Sequence, residues 1–419
     1  MPLFSWLNVG GFKETYQKFS PTFWIVIGTH FIDVIGNTLL NPFFALYVTQ
    51  KFNVGMTEAG LMLGTNSLAG VFGSAIGGAV SDKFGRRGVI LFGLVVSALS
   101  GLTLGFVTHY YLFYAVSVFV GLMGSAAHPA HNAMLADLLP PEQRAEGFGI
   151  SRVVNNFAWI IGPTIGGLLA SFNYLYLFLT DAIISIITAL LVFRFIPETK
   201  PQPKEKTESQ SLLQTLRGYG VVFLDNPFLA FIFASILMIL VYQQMYSSLS
   251  VFLRDVHHVS PRFYGLVMSS SAVTVVLFQL SVTKVIKRYP PFLMMIAATF
   301  FYMIGFTMYG FIATIPLFVL AMVIITVGEM IAMPTSNVLA ASFAPEDMRA
   351  RYMAVFGLTW AVPSMVGPFA AGLVMDNYDP RYIWYIGGAL CVVAMAAFYA
   401  LHLRLGAREQ FHAATSEAR

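Results

Sequence analysis

Three carboxylates, Asp33, Asp181 and Glu329, stand inside long apolar stretches of this 419-residue chain. Glu329 is the most isolated, the one acid between Leu317 and Met333 in a run that contains "ITVGEMIAMP". An ionised side chain at the centre of a bilayer costs about 3 kcal/mol on insertion scales, so it is normally retained where it faces a protein interior or a water path. A desolvated carboxyl can load a proton from one side and release it when water or a cation arrives, which makes Glu329 the leading candidate for proton coupling. Asp33 has His30 three residues before it and Asn37 and Asn41 at i+4 and i+8, a polar stripe along one helical face. Asp33 and His30 therefore join Glu329 as coupling candidates, and Asn37 as a cavity residue. His128 and His131 flank Pro129, with Asp137 beyond them, and are candidates for a proton relay. These acids and histidines lie on separate segments without ligand spacing, so no metal site is expected.

The elements that must position them are membrane helices. Hydrophobic residues make up 57% of the chain and charged ones 11%, with a mean hydropathy of +0.72, which excludes a soluble globular domain of this size. Apolar runs of the roughly 20 residues needed to cross a bilayer can be read near 22–48, 58–80, 88–107, 110–136, 147–171, 173–196, 228–252, 262–283, 291–313, 315–340, 352–375 and 381–403. With the N-terminus inside, all but Lys51, Arg254, Arg262 and Arg381 of the 24 basic residues fall on the cytoplasmic side. The positive-inside rule thus predicts a multi-pass protein of the cell membrane with both termini cytoplasmic. The first twenty residues read as a cytoplasmic arm, with no signal-peptide pattern. The basic charges are scattered over short loops, which argues against nucleic acid as a partner. Cys391 is the single cysteine, so the chain can form no internal disulfide; inside the last span it reads as a small buried residue.

The chain predicts two six-helix halves. "IPETKPQPKEKTESQSLLQTL" has the composition of a solvated linker, giving an arm at 1–20, an N-terminal half at 21–196, a linker at 197–226, a C-terminal half at 227–404 and a tail at 405–419. Residues 211–224 suggest a short interfacial helix. At an offset of 205 residues Pro129 meets Pro334, Asn132 meets Asn337, Pro140 meets Pro345, Arg144 meets Arg349, Gly162 meets Gly367, Pro163 meets Pro368 and Gly167 meets Gly372. Repeated halves are expected to place a site near the midplane. Glu329 falls opposite Gly124, so the acid is an addition to one half rather than part of the shared scaffold.

Two motifs carry a resemblance. "GGAVSDKFGRRGVIL" runs from a small-residue helix end into Asp82, Lys83, Gly85, Arg86 and Arg87 in a tight turn; Asp82 could accept from a neighbouring helix N-terminus or from the arginines. "NNFAWIIGPTIGGLLA" holds Gly162, Pro163, Gly166 and Gly167, where glycines permit close helix approach and proline permits a bend. The first resembles the loop signature of the major facilitator superfamily, and the second its antiporter signature, with Ala158 where a glycine leads; the resemblance spans about Phe19 to Leu405. It implies an all-α fold of twelve transmembrane helices in two pseudo-symmetric halves, and a cytoplasmic latch and conformational switch at Asp82, Lys83, Gly85, Arg86 and Arg87. Drug antiporters of the family often carry an arginine where this chain has Ser117. "GEMIAMP" resembles the tenth span of some multidrug/proton antiporters, in which the carboxylate serves proton coupling or recognition of cationic drugs.

For the substrate, Asn37, Asn155, Trp159, Tyr242, Gln243, Tyr246 and Trp360 could line an apolar cavity with polar handles. No phosphate-loop pattern, catalytic constellation or cofactor motif appears, so no enzyme and no cofactor are expected. The expected function is a proton-coupled secondary transporter, an exporter of amphipathic or cationic small molecules working as a monomer in the lipid bilayer by alternating access. A transporter of a defined metabolite such as a sugar or amino acid, and a non-transporting membrane sensor of the same fold, are the alternatives.

Overall fold

The computed structural model describes residues 15–200, 220–345 and 348–417, with backbone alone at 145, 350 and 406–417. The expected arm up to residue 14, the linker at 201–219 with most of the expected interfacial helix, and the last two residues of the tail lie outside the described residues. Sixteen helices set the positions of the candidate residues. They are α1 (Pro21–Leu40), α2 (Phe44–Phe52), α3 (Met56–Phe84), α4 (Arg86–Phe106), α5 (Tyr110–Gly124), α6 (Ala127–Asp137), α7 (Pro141–Phe172) and α8 (Leu175–Phe195). There follow α9 (Asn226–Gln243), α10 (Ser248–His257), α11 (Pro261–Ile286), α12 (Pro291–Met308), α13 (Ile315–Phe343), α14 (Arg349–Phe356), α15 (Leu358–Asn377) and α16 (Tyr382–Glu417). Among the described residues they build twelve stretches long and apolar enough to cross a membrane.

Helix starts follow capping chemistry. Ser20 accepts from the Phe23 amide (3.2 Å) ahead of Pro21, and Asp225 accepts from the Phe228 amide (3.1 Å) ahead of Pro227. Some spans are broken mid-course. The 3-10 turn Asn41–Phe43, whose Pro42 has no amide to donate, separates α1 from α2. The long apolar helix of the seventh span ends at Gln243, short of the 252 expected from hydropathy, and a turn at 244–247 leads into α10. The Gln244 amide donates to the Leu240 carbonyl (3.0 Å), and its oxygen accepts from the hydroxyls of Ser248 (2.7 Å) and Ser247 (3.3 Å). A side chain thus serves the backbone and hydroxyls that a helix break exposes.

The described residues form two compact units. The first takes those within Met1–Val54, Thr65–Pro203 and His258–Val276; the second takes Gly55–Gly64, Lys204–His257 and Leu277–Arg419. In the first, α1 packs on α7 and α8, and α4 on α5, α6 and α8. Phe19, Phe23, Val26, Val89, Leu94, Met134, Leu135 and Val192 make a buried cluster there. In the second, α12 packs on α13 and α16, and α9 on α15 and α16; Cys391 of α16 is fully buried. Lipid is as apolar as leucine, so close fit rather than water exclusion holds such helices together.

The sequence repeat reappears as two glycine crossings. In the first unit the start of α11 lies on α7, where a Cβ on Gly167 would sit 2.7 Å from the Pro261 carbonyl oxygen and Gly265 lies against the Pro163 carbonyl. In the second unit the start of α3 lies on α15, where a Cβ on Gly372 would sit 2.5 Å from the Met56 carbonyl oxygen and Gly60 lies against the Pro368 carbonyl. Each residue in one crossing is 205 positions from its counterpart in the other. Asp376 adds a cap to the second, accepting from the amides of Met56 (2.9 Å) and Thr57 (2.7 Å). Because backbone meets backbone, Gly372→Val should destabilise by about 2 kcal/mol or more, whereas Gly28→Ala, with nothing within 4 Å of its Cβ position, should be neutral. Thermal melting of both variants in detergent checks this.

Candidate functional site

In the first unit, α1, α6, α7 and α8 bring together the polar residues their sequences scatter. The His30 ring stacks on His131, centroids 4.0 Å apart, and lies near the Asn155 side chain. His128 is in electrostatic range of both other imidazoles and lies 3.4 Å from the Asn132 amide. The separate segments therefore bring three histidines into one cluster, with α1 packed against α7. His131 Nε2 and Asn155 Oδ1 are buried without a hydrogen-bond partner. Among the described residues no three His, Cys, Asp or Glu side chains are placed to hold a metal ion.

Asp33 lies beside a second acid. The Asp181 carboxylate of α8 packs over α1 at Gly36, one turn beyond Asp33, where a glycine Cβ would be 2.8 Å from Asp181 Oδ1, and the two carboxylates interact electrostatically. Asp181 is buried and Asp33 half-buried. Asn37, the residue after Gly36, is exposed, and Trp159 is half-buried. Of the antiporter-motif residues, Gly162 makes room for Thr38, whose hydroxyl reaches the Ala158 carbonyl (3.2 Å), Gly166 for Phe43, and Gly167 for the α11 crossing; Pro163 sits inside α7 and supplies a crossing carbonyl. The position resembling the drug antiporters' arginine, Ser117, is buried; Asn66 of α3 fills the space, donating to the Ser117 carbonyl at 2.6 Å.

The turn between α3 and α4 is a charge network. Gly85 has φ of +104°, a left-handed backbone that a side chain would strain. Arg86 is largely buried, pairing with Asp82 (2.8 Å) and with Asp137 at the end of α6 (3.1 Å), and donating to the Ser81 carbonyl (2.9 Å). Asp82 keeps 75% of its side chain exposed. The orphan amides at the start of α4 do not go to Asp82, one of the partners the sequence allowed it. Glu198, from "IPETK", takes them: its carboxylate accepts from Arg86 N (2.8 Å), Arg87 N (3.1 Å), Thr199 N and Lys200 N. Arg87 also donates to the Phe193 carbonyl, and Lys200 Nζ to that of Lys83 (2.7 Å), whose own ammonium lies over Phe84. All these partners belong to the first unit.

In the second unit Glu329 of α13 is half-buried within electrostatic range of Tyr242 and Tyr302. Tyr242 shares a hydrogen bond with Tyr246 (3.0 Å), stacks on Tyr302 (5.5 Å) and meets Trp360 edge to face (6.0 Å). Tyr242 and Tyr302 are buried, so they form the wall behind Glu329; Tyr246 and Gln243 are half-buried and Trp360 is exposed. Nearby, Gln279 of α11 donates to the Met330 carbonyl (3.2 Å). Tyr302 had no signal in the sequence, being one aromatic in the apolar run "AATFFYMIGF".

Twelve apolar spans that carry carboxylates, histidines and aromatic walls define a multi-pass membrane transporter. The chain belongs to the Major Facilitator Superfamily, whose sequence model matches residues 26–368 and again 257–417. It is 27% identical over 362 residues to the uncharacterized MFS-type transporter YttB of Bacillus subtilis (strain 168), covering 85% of this chain and 89% of that one. To a Na(+), Li(+), K(+)/H(+) antiporter of Planococcus maritimus it is 25% identical, over 78% of this chain and 84% of the relative. Its fold is similar to the crystal structure of the nucleoside transporter NupG, with a TM-score of 0.75 at 17% identity over 91% of this chain and 99% of that one.

The Glu198 network yields a pH prediction. Burial pushes this carboxyl up, but the four backbone amides outweigh it and hold it below its ordinary 4.5. Stability from a depressed carboxyl is fully present above the unfolded value and is lost as pH falls through the folded one. Melting temperature should therefore fall below about pH 4.5 in the native protein, and Glu198→Gln should flatten that part of the profile while lowering the plateau.

Proposed function

We propose that this transporter is a proton-coupled antiporter that exports amphipathic or cationic small molecules across the cell membrane by alternating access, with both termini cytoplasmic. The observation that carries the reading is Glu329, an acid absent from the repeated scaffold, within electrostatic range of Tyr242 and Tyr302, with Tyr246 and Trp360 against Tyr242. A carboxylate attracts an organic cation, and aromatic faces bind its apolar body and its charge. Proton and cation then compete for one acid, so loading either releases the other, and that competition is what antiport requires. Asp33 and His30 supply the second titratable group of the cycle, and the network around Asp82, Lys83, Gly85, Arg86 and Arg87 is its switch. The proton antiport named for the Planococcus relative supports the coupling.

A second reading, exchange of alkali cations for protons, is favoured by the Asp33 and Asp181 pair and by the name of that same relative. Proteoliposomes with an imposed pH gradient separate the two. Addition of a cationic dye should release protons from the native protein, and Glu329→Gln should reduce that flux at least tenfold; flux driven by Na+ or K+ alone and abolished by Asp33→Asn would select the alkali-cation reading. For the switch, Asp82→Asn should lower turnover several-fold while leaving dye affinity within about twofold, since its exposed carboxylate tunes Arg86 without packing. Equal loss of turnover and affinity would remove that role.

A further inference from the structure

Tyr302 is a buried phenol whose hydroxyl has no hydrogen-bond partner among the described residues, and such a group in a membrane interior calls for a reason. Its ring is held on several sides. It lies against Gly328, where a Cβ would come within 2.7 Å of its Cδ1, stacks on Tyr242 at 5.5 Å and meets Phe306 at 5.9 Å. The ring cannot swing its hydroxyl to water without breaking these contacts. Gly328 is the residue before Glu329 on α13, and that acid is within electrostatic range of the Tyr302 hydroxyl. Tyr242, by contrast, already shares its hydroxyl with Tyr246 (3.0 Å).

We propose that Tyr302 is a positioning residue for Glu329, its hydroxyl being the donor that receives the carboxylate when Glu329 gives up its proton. The proposal rests on the reading of Glu329 as the coupling acid. In the protonated state the Tyr302 hydroxyl stands ready and unused; on deprotonation the Glu329 side chain turns to it and completes a charge-assisted hydrogen bond, one of the stronger kinds. The titratable groups facing this phenol are Glu329 from α13, Tyr242 and Tyr246 from α9 and the turn after it, and Cys391 from α16. None of these is a cation, so a neutral donor is what they offer the carboxylate. The proton itself moves from Glu329 to water or leaves as cationic substrate binds; Tyr302 keeps its own.

The test is the pH dependence of binding of a fluorescent cation, rhodamine 6G, to the reconstituted full chain. Tyr302→Phe should move the midpoint of binding about one to two units to higher pH, because the carboxylate form loses its donor. A merely structural role would lower the plateau and leave the midpoint in place, which would overturn the proposal. Glu329→Gln supplies the control: retention of the native pH dependence there would overturn both the coupling role and this inference. Loss of pH dependence in Glu329→Gln with an unmoved midpoint in Tyr302→Phe would overturn this inference alone. Should Tyr302→Phe not fold, infrared difference spectra of the unaltered protein answer the same question. A phenol C–O band that shifts together with loss of the carboxyl C=O band as pH rises supports the contact, and a silent phenol band overturns it.

Discussion

A backbone in hydrocarbon has no water to satisfy its amides and carbonyls, and the rest of this structure follows from that constraint. Long helices meet it along most of their length. Where a helix must start, stop or bend, a side chain takes over: Asp376 at the start of α3, Gln244 between α9 and α10, Glu198 at the start of α4. These three positions look unrelated in sequence, yet each supplies a polar side chain to backbone left exposed by a helix end. The glycine crossings obey the same rule, since only helices without protruding side chains bring backbone into contact with backbone.

Charge is placed with equal economy. Arg86 is buried only because Asp82, Asp137 and the Ser81 carbonyl surround it. The intramembrane acids stand in other surroundings, phenols around Glu329 and a second carboxylate beside Asp33. Paired charges make a rigid element, whereas acids held among neutral polar groups keep two protonation states within reach. The first arrangement suits a joint and the second suits a site that exchanges a proton.

Much of the architecture was legible in the sequence because it is written in local terms. Hydropathy located the twelve spans, and the 205-residue repeat marked the Gly and Pro positions that became the crossings. The seventh span was read to 252 because hydropathy does not register the turn at 244–247 between α9 and α10. Convergence was legible only in part. Glu329 and Tyr242 could be named as chemically capable, but the stacking of His30 on His131, the approach of Asp181 to Asp33 and the place of Tyr302 depend on contacts between distant segments. No spacing rule encodes such contacts. The amides within reach of Asp82 in the sequence went instead to Glu198, 112 residues from Arg86, for the same reason.

The enclosure of Cys391 in the packing of α16 reaches beyond the fold. A chain with one thiol, and that one shut away from solvent, is already close to a blank background for site-directed labelling. Cysteines introduced at exposed helix ends would carry probes without first stripping the native sequence, so distances across the molecule could be followed during turnover in a protein that differs from the natural one only at the labelled positions.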